Sequence, residues 1–345
     1  MNTEHKKDNR SAKLLYEATR PFAEESLTKS WWFTGSTFAL LVLTLIAAGM
    51  IAWWPVRIAL SMLGGLLMVR AFVMYHDFMH GAILRKSRIG KIVYHLYGLI
   101  SLTPARSWRH SHNYHHANVG KPIPVKEQVF SLLTSDIGAV PLMTAEMWKQ
   151  TTPFQRLRYR ISRHPVTFLF AYVTVFLFSI CLLPLLTNPR KFWDGALSIL
   201  VHGGMIAALC VFGGFQVAFF AFILPFAIAA ALGAYLFFAQ HNFRDMKILP
   251  TEEWSHFRAA LESSSYLKLG PIMSWFSGNI GYHHVHHLNS KIPFYRLREA
   301  MREIPELQNA TVTTLWPKDI IDCLQLSLWD TANNRLISFR EAASA

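Results

Sequence analysis

The strongest constraint on this chain is a set of apolar runs too long for an ordinary soluble interior. A bilayer core takes about 20 apolar residues of helix, and several stretches here reach that length. Trp32 to Trp54 reads WFTGSTFALLVLTLIAAGMIAWW, with tryptophans at both ends as interface anchors. After the short PVR turn, Ile58 to Tyr75 makes a second span and closes a hairpin. Thr167 to Leu186 (TFLFAYVTVFLFSICLLPLL) is a third candidate, and Asp194 to Gln240 has length for two more. Only 16% of the residues are charged, against roughly a quarter in soluble domains. The chain is therefore expected to be an all-α, multi-pass membrane protein.

Charge orients it. Residues 1–30 carry six Lys/Arg and residues 85–165 carry 13, so both segments are expected in the cytoplasm. This placement also explains the net charge of +13 without a nucleic-acid partner. The N-terminus has no apolar core of a cleaved signal peptide. Cys181, Cys210 and Cys323 show no pairing or ligand spacing and read as small hydrophobes. The expected organisation is a cytoplasmic segment over 1–30 and one membrane domain over 31–345. A cytoplasmic, histidine-rich cap is formed from 85–165 and 241–345. Ile92 to Leu102 is too short to span and belongs at the interface. PFYRLREAMREIPEL and KDIIDCLQLSLWD, in the C-terminal part, both have helical apolar spacing.

The 16 histidines are not scattered evenly. His76 and His80 in HDFMH are four apart, on one helix face at the expected end of the second span. Asp77 beside them is placed to orient an imidazole N–H from behind a ligand. His112, His115 and His116 have i, i+3, i+4 spacing, and His283, His286 and His287 repeat it. That spacing gathers three rings within about 100° of helix arc. His110 and His284 point away and read as bystanders, dispensable for metal and activity. His241 follows the last span at the same membrane level. His5, His95, His164, His202 and His256 lack such spacing and read as ordinary histidines.

An isolated i, i+4 pair is commonplace at a helix end. Two triplets and a pair at one depth are not, and they point to metal. Nine imidazoles exceed what one zinc takes and suit two ions with four or five ligands each. Imidazole accepts iron, copper, zinc and nickel, so ligand type alone does not choose the metal. Clusters cooperating on one side require an even number of crossings between His116 and His283. Three apolar segments lie there, so one does not cross. The glycine pairs 203–204 and 213–214 nominate the first half of 194–240 as re-entrant, leaving about four transmembrane helices.

These residues resemble the membrane-bound fatty acid desaturases, whose three histidine boxes appear in order as HDFMH, HNYHH and HHVHH. SSSYLKLGPIMSWFSGNIGYHHVHHLNSKIPFYRL is similar to the third-box region of bacterial acyl-lipid desaturases, particularly of delta-12 or omega-6 type. QHNFRD matches the position of one further histidine. The likeness covers roughly residues 30–335. It implies two iron ions held by His76, His80, His112, His115, His116, His241, His283, His286 and His287. It further implies O2 as co-substrate, a lipid or acyl-thioester substrate, and an external donor such as ferredoxin or a cytochrome b5-like carrier. The implied location is the bacterial inner membrane, with the boxes and both termini cytoplasmic. Alternatives are a related lipid hydroxylase or carotenoid oxygenase-like enzyme and, outside enzymes, a metal transporter or sensor.

Overall fold

The computed structural model describes residues 13–122 and 142–344; residues 1–12 of the N-terminal segment and 123–141 of the expected cap lie outside them. Among the described residues, four helices are long and apolar enough to cross a membrane. They are α1 (Leu27–Met50), α2 (Trp54–His80), α6 (Asp194–Gly213) and α7 (Phe215–Ala239). The intervening helices used below are α3 (Arg88–Ile100), α4 (Ala105–Asn118) and α5 (Pro153–Arg163), and α8 (His283–Leu288) follows.

The first hairpin turns at Ile51–Trp53, and its end carbonyls need partners. Arg57 supplies them, donating from Nε to the Ala48 carbonyl (3.0 Å) and from Nη2 to Gly49 (3.3 Å). Its Nη1 reaches Gln216 Oε1 at 2.9 Å, which ties this turn to the second hairpin. There Gly214 (φ +81°) makes the reversal between α6 and α7. Central α2 lies between α1 and α7. A Cβ on Gly64 would meet Leu45 at 2.8 Å, and one on Gly65 would meet Ile228 at 2.8 Å. Glycine lets these backbones approach so closely. The outer helices face lipid, with Leu43, Leu200 and Phe212 exposed.

The assignment of the non-crossing segment is corrected by the structure. Arg163, just before it, donates to Asn242 Oδ1. Asp194, just after it, accepts the Arg106 backbone N–H at 2.7 Å. Both partners lie on the histidine-bearing side, so residues 165–193 leave and return to one side. The apolar helix between them, Tyr172–Thr187, is π-helical over Tyr172–Leu182 and dips in without crossing. Its Tyr172 O–H reaches His202 Nε2 at 2.5 Å, within α6. Conversely, α6 is continuous and about 30 Å long at 1.5 Å per residue, enough to span. Gly203 and Gly204 sit inside it without a break, and the pair at 213–214 is the hairpin turn.

On the histidine-bearing side, α3 buries Tyr94 and Tyr97 and exposes Ile89, Ile92 and Leu96. It is a 13-residue interfacial helix, too short to cross. Helix α5 likewise exposes Phe154, Leu157 and Ile161, while Arg163 faces inward. The cap is not purely helical. Met143–Thr144 pairs with Leu326–Asp330, which pairs with Arg335–Ser338, and Tyr266–Lys268 pairs with Val312–Thr314. KDIIDCLQLSLWD therefore divides into a helix, Pro317–Gln325, and a strand. Its last residues form one strand of a buried hairpin instead of extending the helix. From the N-terminal segment, Leu15 and Phe22 pack with Val285 and Leu288 of α8. Thr19 Oγ1 receives the Asn289 side-chain amide (2.9 Å).

Candidate metal centre

Four elements deliver the predicted ligands to one place. Helix α2 ends at Gly81 (φ +70°), whose N–H returns to the Asp77 and Phe78 carbonyls. This left-handed cap stops the helix directly after His80. Helix α4 is held at its start by a polar row along α6. Asp194 accepts from Arg106 N–H, Ser198 Oγ donates to Leu99 (2.8 Å), and His202 Nδ1 donates to Ile100 (2.6 Å). These groups satisfy the end of α3 and fix where α4 begins.

All nine histidines converge, in two sets. His76, His80, His112, His116 and His286 form the first; His115, His241, His283 and His287 form the second. Within each set the ligand atoms lie within 4.8 Å of one another. In the first, Nε2 atoms are 2.9 Å apart for His80–His112, 3.0 Å for His112–His116 and 3.2 Å for His116–His286. In the second, they are 2.9 Å for His241–His283 and 3.1 Å for His115–His287, His241–His287 and His283–His287. Nitrogens bound at right angles to one ion at roughly 2.0–2.1 Å would stand about 2.9 Å apart. The imidazoles thus fit two ions, one with five nitrogen donors and one with four.

The triplets divide between the sets. Helix α4 sends His112 and His116 to the first and His115 to the second. Helix α8 does the reverse, sending His283 and His287 to the second and His286 to the first. The rings of His116 and His287 stack at 4.3 Å where the sets meet.

Burial keeps these imidazoles neutral. It holds His112, His115, His116, His283, His286 and His287 well below the usual imidazole value, with neighbouring imidazoles adding to the effect. His241 is pushed down to about 4, also by burial. A neutral ring keeps the lone pair a metal needs. Trp108 stacks on His112 at 4.4 Å and Phe237 lies 4.8 Å from His115, forming apolar walls.

Orientation from behind is selective. His241 Nδ1 donates to the Ser263 carbonyl at 2.9 Å, leaving Nε2 for the second set. His76 Nδ1 lies 3.2 Å from Asp77 Oδ1, and Asp77 Oδ2 accepts the Phe294 N–H at 2.6 Å. Asp77 therefore links a first-box ring to the loop after the third box. Asp77→Asn retains the shape but weakens the acceptor facing His76. Metal affinity and activity should fall about 10–100-fold, measured by competition with a chelator. Unchanged affinity would remove Asp77 from this role.

The bystanders stay outside both sets. His110 lies against Phe192, with Lys191 Nζ 3.4 Å from its Nε2. His284 is fully buried and donates from Nε2 to the Leu307 carbonyl at 3.0 Å. A further residue escaped the sequence reading. Arg70, inside the second span, is 3% exposed and donates to Thr37 Oγ1 (3.0 Å) and the Trp275 carbonyl. Its guanidinium lies 4.1 Å over the Trp275 ring. It pins the segment leading to the third box onto α2. A charge within an apolar run was the available signal.

The family model described as Fatty acid desaturase matches residues 51–318. This chain belongs to the fatty acid desaturase family. It is 32% identical over 288 residues to a fatty acid desaturase of Bacillus subtilis (strain 168), covering 82% of this chain and 77% of that one. It is similar to an Arabidopsis thaliana protein named acyl-lipid omega-3 desaturase (cytochrome b5), endoplasmic reticulum, at 25% identity over 76% of this chain and 67% of the other. A Nostoc sp. protein named sn-1 acyl-lipid omega-3 desaturase (ferredoxin) is 24% identical over 81% of this chain and 76% of its own. As a fatty acid desaturase, the protein is an oxidoreductase, and its four candidate spans make it a membrane protein.

Proposed function

We propose that this desaturase removes two hydrogens from an acyl chain of a membrane lipid, at two irons held by the nine histidines. O2, two protons from solvent and two electrons from a separate carrier of the ferredoxin or cytochrome b5 kind complete the balance, leaving a double bond and two waters. The observation that carries this reading is the convergence of five and four buried or half-buried imidazoles with no carboxylate in either set. When bound, the iron pair supplies the oxidising power that an unactivated methylene requires and side-chain acid–base chemistry lacks. The chain's own residues hold the imidazoles neutral, orient His76 through Asp77 and His241 through Ser263, and keep the site dry through Trp108 and Phe237. The basic loops support a cytoplasmic histidine-bearing side, here in a bacterial inner membrane.

The test is fatty acid analysis by gas chromatography–mass spectrometry, with double bonds mapped. Aerobically grown cells expressing the protein are compared with cells expressing His286→Ala. A new unsaturated acid absent from the control is expected, and its position gives the regioselectivity. A new hydroxylated lipid without a double bond would replace desaturation by the related hydroxylase chemistry.

A further inference from the structure

A cavity of about 680 Å3 opens between α3, the first turns of α4 and the start of α6. Arg106, Arg109, His110, Lys191, Trp193 and Leu197 are among its lining residues. Its one carboxylate, Asp194, already accepts the Arg106 backbone N–H through Oδ2. Among the described residues, no carboxylate stands within ion-pair distance of the Arg106, Arg109 or Lys191 side chains. The Arg106 guanidinium instead lies 5.5 Å over the Trp193 ring. Among the described lining residues three cations stand against one carboxylate, which favours an anionic ligand.

Position narrows the chemistry. Leu197, which lines the cavity, and Leu200 one turn further along α6 are exposed, as are Ile92 and Leu96 on α3. The cations therefore sit where an apolar span begins, at the level of lipid headgroups. Basic pockets between spans on the cytoplasmic side suit phosphate headgroups. Guanidinium forks match phosphate oxygens, and a lysine adds a point charge. The volume lies within the usual range for a small-molecule site. The cavity also adjoins the first histidine set. Arg109 Nη2 is 3.6 Å from Met79 Sδ, next to His80, and Arg109 precedes His112 by one helical turn.

We propose that this cavity holds a phosphate ester of the acyl substrate, with Arg106, Arg109 and Lys191 as its ligands, and thereby positions the chain for the neighbouring centre. The word substrate rests on the desaturase reading above; the phosphate site does not. The lipid-facing rim favours the diester of a glycerophospholipid, and the phosphates of an acyl-coenzyme A are the other source of this chemistry.

The experiment is calorimetric titration of the full-length protein, in neutral detergent, with dihexanoyl phosphatidylglycerol. The double variant Arg106→Gln/Lys191→Gln should bind about tenfold more weakly or worse, the loss expected for removing charge-assisted hydrogen bonds. Lys191→Gln alone, at an exposed position, should show an intermediate loss and guards against a folding defect in the double variant. Dihexanoylglycerol, which lacks phosphate, should not bind measurably. The titration reads lipid binding whether or not the protein desaturates, so failure of the metal chemistry leaves this test intact. Displacement of the lipid by coenzyme A would assign the same phosphate site to a thioester substrate, and lack of displacement assigns it to a glycerophospholipid. Equal affinity in wild type and both variants, or equal binding of dihexanoylglycerol, would overturn the proposal.

Discussion

Replacing His286 by alanine is expected to reduce desaturation by about a thousandfold or more, since a metal centre supplies several kcal/mol of catalysis. His286 is fully buried, and its ring lies 4.4 Å from His76 and 5.0 Å from His80. Its Nε2 closes the first set against His116 at 3.2 Å. Alanine removes a donor from the middle of that set, and no neighbouring imidazole is spare to replace it. Product analysis and iron content per purified protein check this together. The matched control is His110→Ala, whose ring rests on Phe192 beyond both sets and which should retain most of each. Near wild-type iron and product in His286→Ala would exclude it as a ligand.

His284→Ala should fail in a different way. The spacing of the third box reads His284 as dispensable, and it does lie outside both metal sets. Yet its side chain is fully buried and its Nε2 holds the Leu307 carbonyl at 3.0 Å. Truncation leaves a cavity beneath the turn at Pro305–Asn309 and an unpaired carbonyl. Together these cost about 3 kcal/mol, equivalent to a melting temperature lower by roughly 4 °C for a protein of this size. The folded fraction should keep its iron. A thermal melt in detergent, with iron measured before heating, separates the two roles. A wild-type melting temperature would show that this hydrogen bond carries no weight.

Much of the architecture was legible because membrane burial is written in run length. The first hairpin and the last span follow from apolar stretches bounded by tryptophan, glycine and basic residues. The histidine sets were legible because helical periodicity places i, i+3 and i+4 together. Length could not tell which apolar segment stays on one side. Arg163–Asn242 and Asp194–Arg106 decide that, and both are contacts between residues far apart in the chain. The same limit hid the strand at Leu326–Asp330, which needs Arg335–Ser338 as a partner. Spacing also puts three rings on one helical face without saying that a face can serve two centres. Arg70 went unread because its apolar surroundings set the character of the whole run.

The exchange of histidines between α4 and α8 has a consequence for assembly. On the proposed two-iron reading each helix supplies imidazoles to both centres, so an empty first centre would leave His286 and the His112–His116 pair unanchored. Those residues share their helical turns with His283, His287 and His115. Loss of one ion therefore loosens the frame that holds the other. Occupancy should be cooperative, with molecules carrying both ions or neither. At limiting iron, the population divides into full and empty protein, and activity follows the full fraction in direct proportion.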